Sequence, residues 1–330
     1  MKYPKRTCLH RMKGHDYKAP WKYHLTLLKN PDAPSFGRLA DGWREAALEH
    51  RRNDVKIDYS PAGKAVRDAL FEWKRLAPKI NLLQYCIMPD HIHLLIDVRE
   101  YLDEHLGKYV ARLKTFAGHR FQYRRSLLGN PSESQAQGNL FLPLFSDGFN
   151  DQILWTSRNL DTIFKYIRHN PYKLAIRKAH PGFFSSRHDL TLNLPSGPDQ
   201  TLEPVRLQAY GNLQLLGNPF KEQVVVHRAD TTEQRERNRQ RWLYTAANGG
   251  ILVSPFISAA EKAIRAEAEE LGGRFILITN DPMPERYKPT GRDFDLCESG
   301  RLLILSINLP GDLNRQTCLA MNALASAIAK

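Results

Sequence analysis

Apolar residues recur at two periods along the first half of this 330-residue chain, and the switches between them mark out its elements. Trp21 to Leu28 reads as a strand and Gly42 to Arg51 as a helix. Ala65 to Leu76 is a second helix, with Val66, Leu70, Trp73 and Leu76 at helical spacing. Two apolar, β-branched runs follow, Leu82 to Met88 and His91 to Val98, separated by a Met-Pro-Asp turn. A long helix from about Leu102 to Arg125 carries Leu106, Tyr109, Val110, Leu113 and Phe116 along one side. Leu127 to Leu140, rich in Gly, Asn, Ser and Gln, reads as a mobile loop. Phe149 to Trp155 is a further strand. Leu160, Ile163, Phe164 and Ile167 then recur at helical spacing, with Asn159 as N-cap and Pro171 at the far end. The order strand, helix, strand, strand, helix, strand, helix predicts an α+β, ferredoxin-like antiparallel sheet with helices on one face.

Ser185 to Pro204, with Leu-Pro-Ser-Gly-Pro-Asp at 194–199, reads as a linker. Beyond it strand and helix alternate. Gln223–Arg228 is a short strand, Thr231–Thr245 a helix carrying Arg235, Arg237, Arg239 and Arg241, and Gly250–Pro255 a strand. Ser258 caps the helix 259–271, which Gly272 and Gly273 close; Arg274–Thr279 and Leu302–Ile307 are strands and Arg315–Ala329 a final helix. That alternation predicts a small parallel α/β domain. The expected division is a first domain over 1–190, a linker over 191–204 and a second domain over 205–330.

Two domains suit the length, and 42% hydrophobic content can build a core in each. No run reaches the ~18 apolar residues of a membrane helix. The N-terminus has no apolar stretch behind its basic residues, so no secretory signal is read there. Cys8, Cys86, Cys297 and Cys318 lack metal-like spacing and read as reduced cysteines of a cytoplasmic protein. Residues 1–190 hold 32 basic and 19 acidic side chains, a net of +13, whereas 191–330 hold 16 of each. The whole positive excess therefore sits on the first domain, as phosphate neutralisation predicts, although a basic surface also serves solubility alone. Aromatic residues interleave with the cations in Tyr17-Lys18-Ala19-Pro20-Trp21-Lys22-Tyr23-His24 and in Phe121-Gln122-Tyr123-Arg124-Arg125, a mixture suited to stacking on unpaired bases. Lys18, Lys22, Arg120, Arg124, Arg125 and Arg168 are the candidate phosphate contacts. The second cluster also reads as the wet end of an amphipathic helix.

His91 and His93 stand two apart in a strand and so project from the same face. Two adjacent imidazoles make half of a divalent metal site, although one packed and one solvated histidine would read the same way. Tyr166 and Asn170, four apart, lie one helical turn apart on one face. Singly, they also read as a half-buried aromatic and a C-terminal helix residue.

Met-Pro-Asp-His-Ile-His, a helix, Phe-Asn-Asp-Gln-Ile-Leu and then Tyr-Ile-Arg-His-Asn-Pro follow one another in this order. The pattern resembles the single-tyrosine HUH transposases, nearest to the REP-associated tyrosine transposases, over residues 18 to 185. The resemblance implies that His91 and His93 bind a divalent metal, Mg²⁺ or Mn²⁺, with Asn170 as third ligand and Tyr166 as the nucleophile that attacks DNA. Asp90 stands where many members have Asn and reads as a turn residue. The implied activity is nicking and strand transfer of single-stranded or hairpin DNA through a 5′-phosphotyrosine intermediate, by a homodimer; the composition of the 127–140 loop suits closure over such DNA. Two other readings stay open: a non-catalytic DNA-binding or DNA-processing adaptor with a transposase fold, and a hydrolytic nuclease without the tyrosine step.

In the second domain, Ser254 and Ser258 flank a strand-to-helix turn that can cradle a phosphate. This part is similar to the Rossmann-like domains of the DNA-processing protein A type, including the Gly-Arg-Leu-Leu-Ile-Leu strand at 300–305, but lacks Gly-x-Gly-x-x-Gly. A docking scaffold is the alternative. Arg286, Lys288 and Arg292 lie in a loop that reads as solvated or in contact with nucleic acid.

Overall fold

Alternation of Tyr23, Leu25 and Leu27 with Lys22, His24 and Thr26 lets one strand serve two layers, and the first half of the chain is arranged around it. The computed structural model describes residues 11–128, 143–196, 201–285, 287–311 and 313–330, and divides into two units, Met1–Ala179 and His180–Lys330. The expected loop at 127–140 lies outside the described residues from 129 onward, as do Cys8 and Arg286.

The first unit runs β1 (Lys22–Leu28), β2 (Gly37–Leu39), α1 (Trp43–Leu48), β3 (Ile57–Tyr59), α2 (Pro61–Leu76), β4 (Ile80–Ile87), β5 (His91–Val98), α3 (Leu106–Leu128), β6 (Asn150–Ile153), α4 (Ser157–Arg168) and α5 (Asn170–Ala179). Its sheet has the order β4-β5-β1-β6 with every pairing antiparallel. β2 and β3 form a separate two-stranded ribbon. Tyr23, Leu25, Leu27, Ile92, Leu94 and Ile96 are buried on one face with Val66, Leu70 and Trp73 of α2 and Val110 and Leu113 of α3. The Trp73 indole N–H donates to the Tyr109 carbonyl at 2.7 Å and ties the two helices together.

The opposite face is covered by α4. Leu160, Ile163, Tyr166 and Ile167 pack on Cys86, Met88, Leu95 and Leu154. The cap of this helix is Thr156, not Asn159: the Thr156 hydroxyl accepts from the Asn159 amide. The single helix expected through Asn170 is broken at His169. Pro171 has no N–H to extend the ladder, but it fits the first turn of the new helix, α5.

The second unit runs β7 (Ser185–Ser196), β8 (Thr201–Gly211), β9 (Lys221–Gln223), α6 (Thr232–Ala247), β10 (Ile251–Ser254), α7 (Ala259–Glu270), β11 (Arg274–Thr279), α8 (Arg292–Glu298), β12 (Leu302–Ser306) and α9 (Arg315–Ala329). Its sheet order is β7-β8-β12-β11-β10-β9. β9 to β12 are parallel, whereas β8 runs antiparallel to β12 and pairs antiparallel with β7, so the sheet is mixed and not wholly parallel. Of the stretch expected as a linker at 191–204, residues 191–196 belong to β7 and 201–204 to β8, a paired antiparallel couple: Leu190, Leu192 and Leu194 alternate onto the core and pair with Leu207, Val205 and Glu203. The unit boundary therefore falls at 179/180. The strand expected at Gln223–Arg228 is the shorter β9, ending at Gln223. Trp242, Ile264 and Leu296 cover one face of the parallel strands, and Met321, Leu324 and Ile328 of α9 the other. This explains why β10, β11 and β12 are apolar on both sides. Among the described residues no helix is long and apolar enough to cross a membrane.

Gly63 lies in the first turn of α2, its amide received by the Ser60 hydroxyl at 3.2 Å. A Cβ there would overlap the Phe36 carbonyl oxygen. Gly63→Ala should therefore destabilise the protein by about 1–3 kcal/mol through overpacking, against the ~1 kcal/mol gain that alanine brings to an unobstructed helix. Urea unfolding would read the sign, and a rise in midpoint would contradict this packing.

Candidate functional site

The β1–β5 register pairs Lys22 with Asp97, Thr26 with His93 and Leu28 with His91. Side chains alternate along a strand, so Lys22, His24 and Thr26 share one face with His91, His93 and Asp97. That is the face under α4.

Within this row the His91 and His93 Nε2 atoms lie 3.1 Å apart, with the rings close to perpendicular at 78°. The Asp90 carboxylate sits 2.7 Å from His91 Nδ1. A carboxylate accepts, so Nδ1 carries the ring proton and Nε2 presents a lone pair towards His93. Asp90 is thus more than the expected turn residue: it orients the first imidazole. His93 is buried, and its Nδ1 meets both His24 Nε2 and the Thr26 hydroxyl at 3.0 Å. Burial pushes the His24 imidazole below its ordinary histidine value, opposed by a hydrogen bond with Gln152 and reinforced by His91.

Tyr166 of α4 lies over this cluster. Its ring centre is 5.3 Å from that of His93 and 5.9 Å from that of His24, edge-on to both. On its other side the Lys173 ammonium of α5 stands 4.8 Å from the ring centre, close enough for a cation–π contact. Asn170 is buried at the break between α4 and α5, and its Nδ2 donates to the Tyr166 carbonyl at 3.0 Å. That bond ties the amide to the last turn of α4.

Two imidazole nitrogens bound at right angles to one cation at ~2.1 Å lie about 3.0 Å apart. The facing Nε2 pair matches that spacing, and each ring has a polar partner on its other nitrogen, as metal-binding histidines do. Among the described residues no group of three His, Cys, Asp or Glu is placed to hold a metal.

The six candidate phosphate contacts scatter. Lys22 is on the histidine face and pairs with Asp97 at 3.2 Å, and Arg168 is exposed at the end of α4. Lys18 lies 5.1 Å from the Tyr101 ring centre. Arg120 pairs with Glu72 at 2.8 Å and Arg124 with Asp68, which ties α3 to α2 in the layer behind the sheet. Arg125 is exposed further along α3. These three arginines therefore belong to the layer opposite the histidines.

In the second unit the Ser254 hydroxyl accepts from Phe256 N at 3.0 Å and the Ser258 hydroxyl from Glu261 N at 3.2 Å. The Glu261 carboxylate in turn accepts from Ser258 N and Val226 N. A carboxylate already occupies the positive end of α7, so this turn is a closed capping box and not the phosphate cradle expected from its sequence.

His24, Thr26 and Lys173 were not singled out by their spacing. The signal for the first two is parity: His24-x-Thr26 repeats the His91-x-His93 pattern on a strand that turns out to be its neighbour. Lys173 had no sequence signal, since only the kink at His169 brings α5 over the ring.

No family model and no curated protein sequence matches this chain. Among solved structures, a REP-associated tyrosine transposase bound to a REP hairpin aligns with 50% of this chain and 74% of its own, at 13% identity and a TM-score of 0.30. A putative transposase from Deinococcus radiodurans R1 aligns over 48% of this chain and 95% of its own, at 17% identity and a TM-score of 0.25. Likeness of that degree carries no weight for individual residues, whose roles rest on the geometry above.

The contact between Asp90 and His91 has a direct readout. Nitrogen-resolved NMR of the metal-free protein, above the histidine titration range, should show His91 as the Nδ1–H tautomer. Asp90→Ala should return it to a mixture of tautomers. An unchanged tautomer would mean that the carboxylate does not orient the ring.

Proposed function

We propose that this protein nicks and rejoins single-stranded or hairpin DNA through Tyr166, assisted by a divalent cation at His91, His93 and Asn170. The observation that carries the reading is the 3.1 Å approach of the two histidine Nε2 atoms beside the Tyr166 ring. The net charge of +13 on residues 1–190 supports a phosphate-bearing substrate.

In this mechanism the Tyr166 oxygen bonds to phosphorus, the bond to the 3′ oxygen of the neighbouring nucleotide breaks, and that oxygen leaves with a proton. The product is a 5′-phosphotyrosine and a free 3′ hydroxyl. Attack by a 3′ hydroxyl on the phosphotyrosine rejoins a strand with no nucleotide cofactor, because the phosphoester energy is kept. A cation held by His91, His93 and Asn170 would supply withdrawal of charge from the phosphate; two imidazoles favour Mn²⁺ and later transition metals over Mg²⁺. Asp90, His24 and Thr26 hold the imidazoles in orientation. Lys173 keeps positive charge next to the ring that meets the phosphate.

A second reading, a DNA-binding protein without catalysis, is favoured by one observation. Asp90, His91, His93 and His24 form a hydrogen-bonded chain that can close on itself with no ion.

A denaturing gel separates the two. With labelled hairpin DNA and Mn²⁺, the wild-type protein should form a covalent adduct, Tyr166→Phe none, and His91→Ala or added chelator at least about a hundredfold less. A binding protein that gives no adduct with any hairpin would sustain the second reading. Cleavage that survives Tyr166→Phe would replace the tyrosine step with hydrolysis.

A further inference from the structure

The face that carries the histidines continues past them to the other end of β1 and β5, where it opens into a cleft of about 570 Å³ lined by Trp21, Lys22, Asp97, Arg99, Trp155 and Thr156, among others. That volume falls within the ~300–1,000 Å³ span of small-ligand sites. Trp155 lies two residues past the end of β6 and is 53% exposed, its ring centre 4.8 Å from that of Trp21 in an edge-to-face contact. His15 packs against both indoles, at 5.7 and 6.0 Å. A large indole left half in water at the mouth of a cleft is a stacking surface, and these ring contacts hold it in place. Asp97 lies between two cations, 3.2 Å from Lys22 Nζ and 4.0 Å from Arg99 Nε. The trio has one net positive charge: two groups that attract a phosphate and one carboxylate that accepts from an N–H.

An aromatic platform, paired cations and an N–H acceptor in one cleft are the elements that hold a nucleobase and its phosphate. We infer that this cleft takes a single unpaired base of the DNA strand, stacked on Trp155, with the adjoining phosphate at Lys22 and Arg99. The inference rests on the DNA reading above and adds to it a second contact point with a set spacing. Ser157, at the cleft, and Tyr166 are nine residues apart on α4, about 14 Å at ~1.5 Å per residue. Asp97 and His93 are four residues apart on β5, roughly 13 Å. Both measures agree, and they set the held base about 14 Å from the tyrosine and histidine site.

The test is a binding titration in chelator, in a Tyr166→Phe background, so that it requires no cleavage. The probes are a fluorescent oligothymidine and the same backbone with every base removed. The protein should prefer the oligothymidine, and Trp155→Ala should weaken that complex roughly tenfold to a hundredfold while leaving the baseless backbone unaffected. Trp155→Phe should recover most of the loss. Trp155 is exposed, so its replacement spares the core, and a circular dichroism melt at the wild-type temperature would confirm it. Equal affinity of the wild type and Trp155→Ala for oligothymidine would overturn the inference while leaving the DNA reading in place, as would an equal loss on both probes. If the wild type bound neither probe, the DNA reading would fall as well.

Discussion

In the register that sets Thr26 against His93 and Lys22 against Asp97, a sliding of β1 by one residue would turn its polar side chains into the core and its apolar ones out. The rest of the first unit follows from that pairing. Tyr23, Leu25, Leu27 and their partners on β5 commit one face to α2 and α3. The other face is left with histidines, a threonine, a lysine and an aspartate, which no apolar helix could cover alone. α4 covers it in a mixed way, with leucine and isoleucine over Cys86, Leu95 and Leu154 and with Tyr166 over the imidazoles. Buried polar groups are costly unless hydrogen-bonded, and here Asp90, Thr26 and His24 provide partners to the histidines. The same contacts that make burial of His93 tolerable orient its ring.

Much of the first unit was legible because its elements have clean periods. β1, β4, β5 and β6 and helices α2, α3 and α4 are read from alternation or from three-and-four spacing, within a few residues of their observed ends. The kink at His169 was not, since Pro171 was taken as the end of a helix when it starts the next one. β2 and β3 span three residues each, too few for any period to register. In the second unit the glycine and proline at 195–198 suggested a linker, yet Leu190, Leu192 and Leu194 carry the alternation of a strand. Turn residues occur between paired strands as readily as in the slack of a linker. The alternation on either side is what distinguishes the two.

The candidate site was legible in part. His91, His93 and Tyr166 do come together, because strand parity and helix spacing are local properties. Their supports come from other parts of the chain: His24 and Thr26 depend on which strand neighbours β5, and Lys173 on the kink. Arg120 and Arg124 show the limit of reading charge alone. Their cationic, aromatic surroundings resemble a nucleic-acid surface in one dimension, but in three they meet Glu72 and Asp68 and tie two helices behind the sheet. Ser254 and Ser258 show the same limit for phosphate turns, because the decisive residue, Glu261, fills the helix end from within.

The central claim is that His91 and His93 form a cation site completed by Asn170. Diffraction from crystals soaked in Mn²⁺, recorded at the manganese absorption edge, addresses it directly. The account predicts one strong anomalous peak within about 2.1 Å of both Nε2 atoms, in contact with the Asn170 amide oxygen and absent in His93→Ala. No peak there under saturating Mn²⁺, with the two imidazoles still in direct contact, would contradict it and leave the histidines as a self-sufficient hydrogen-bonded pair.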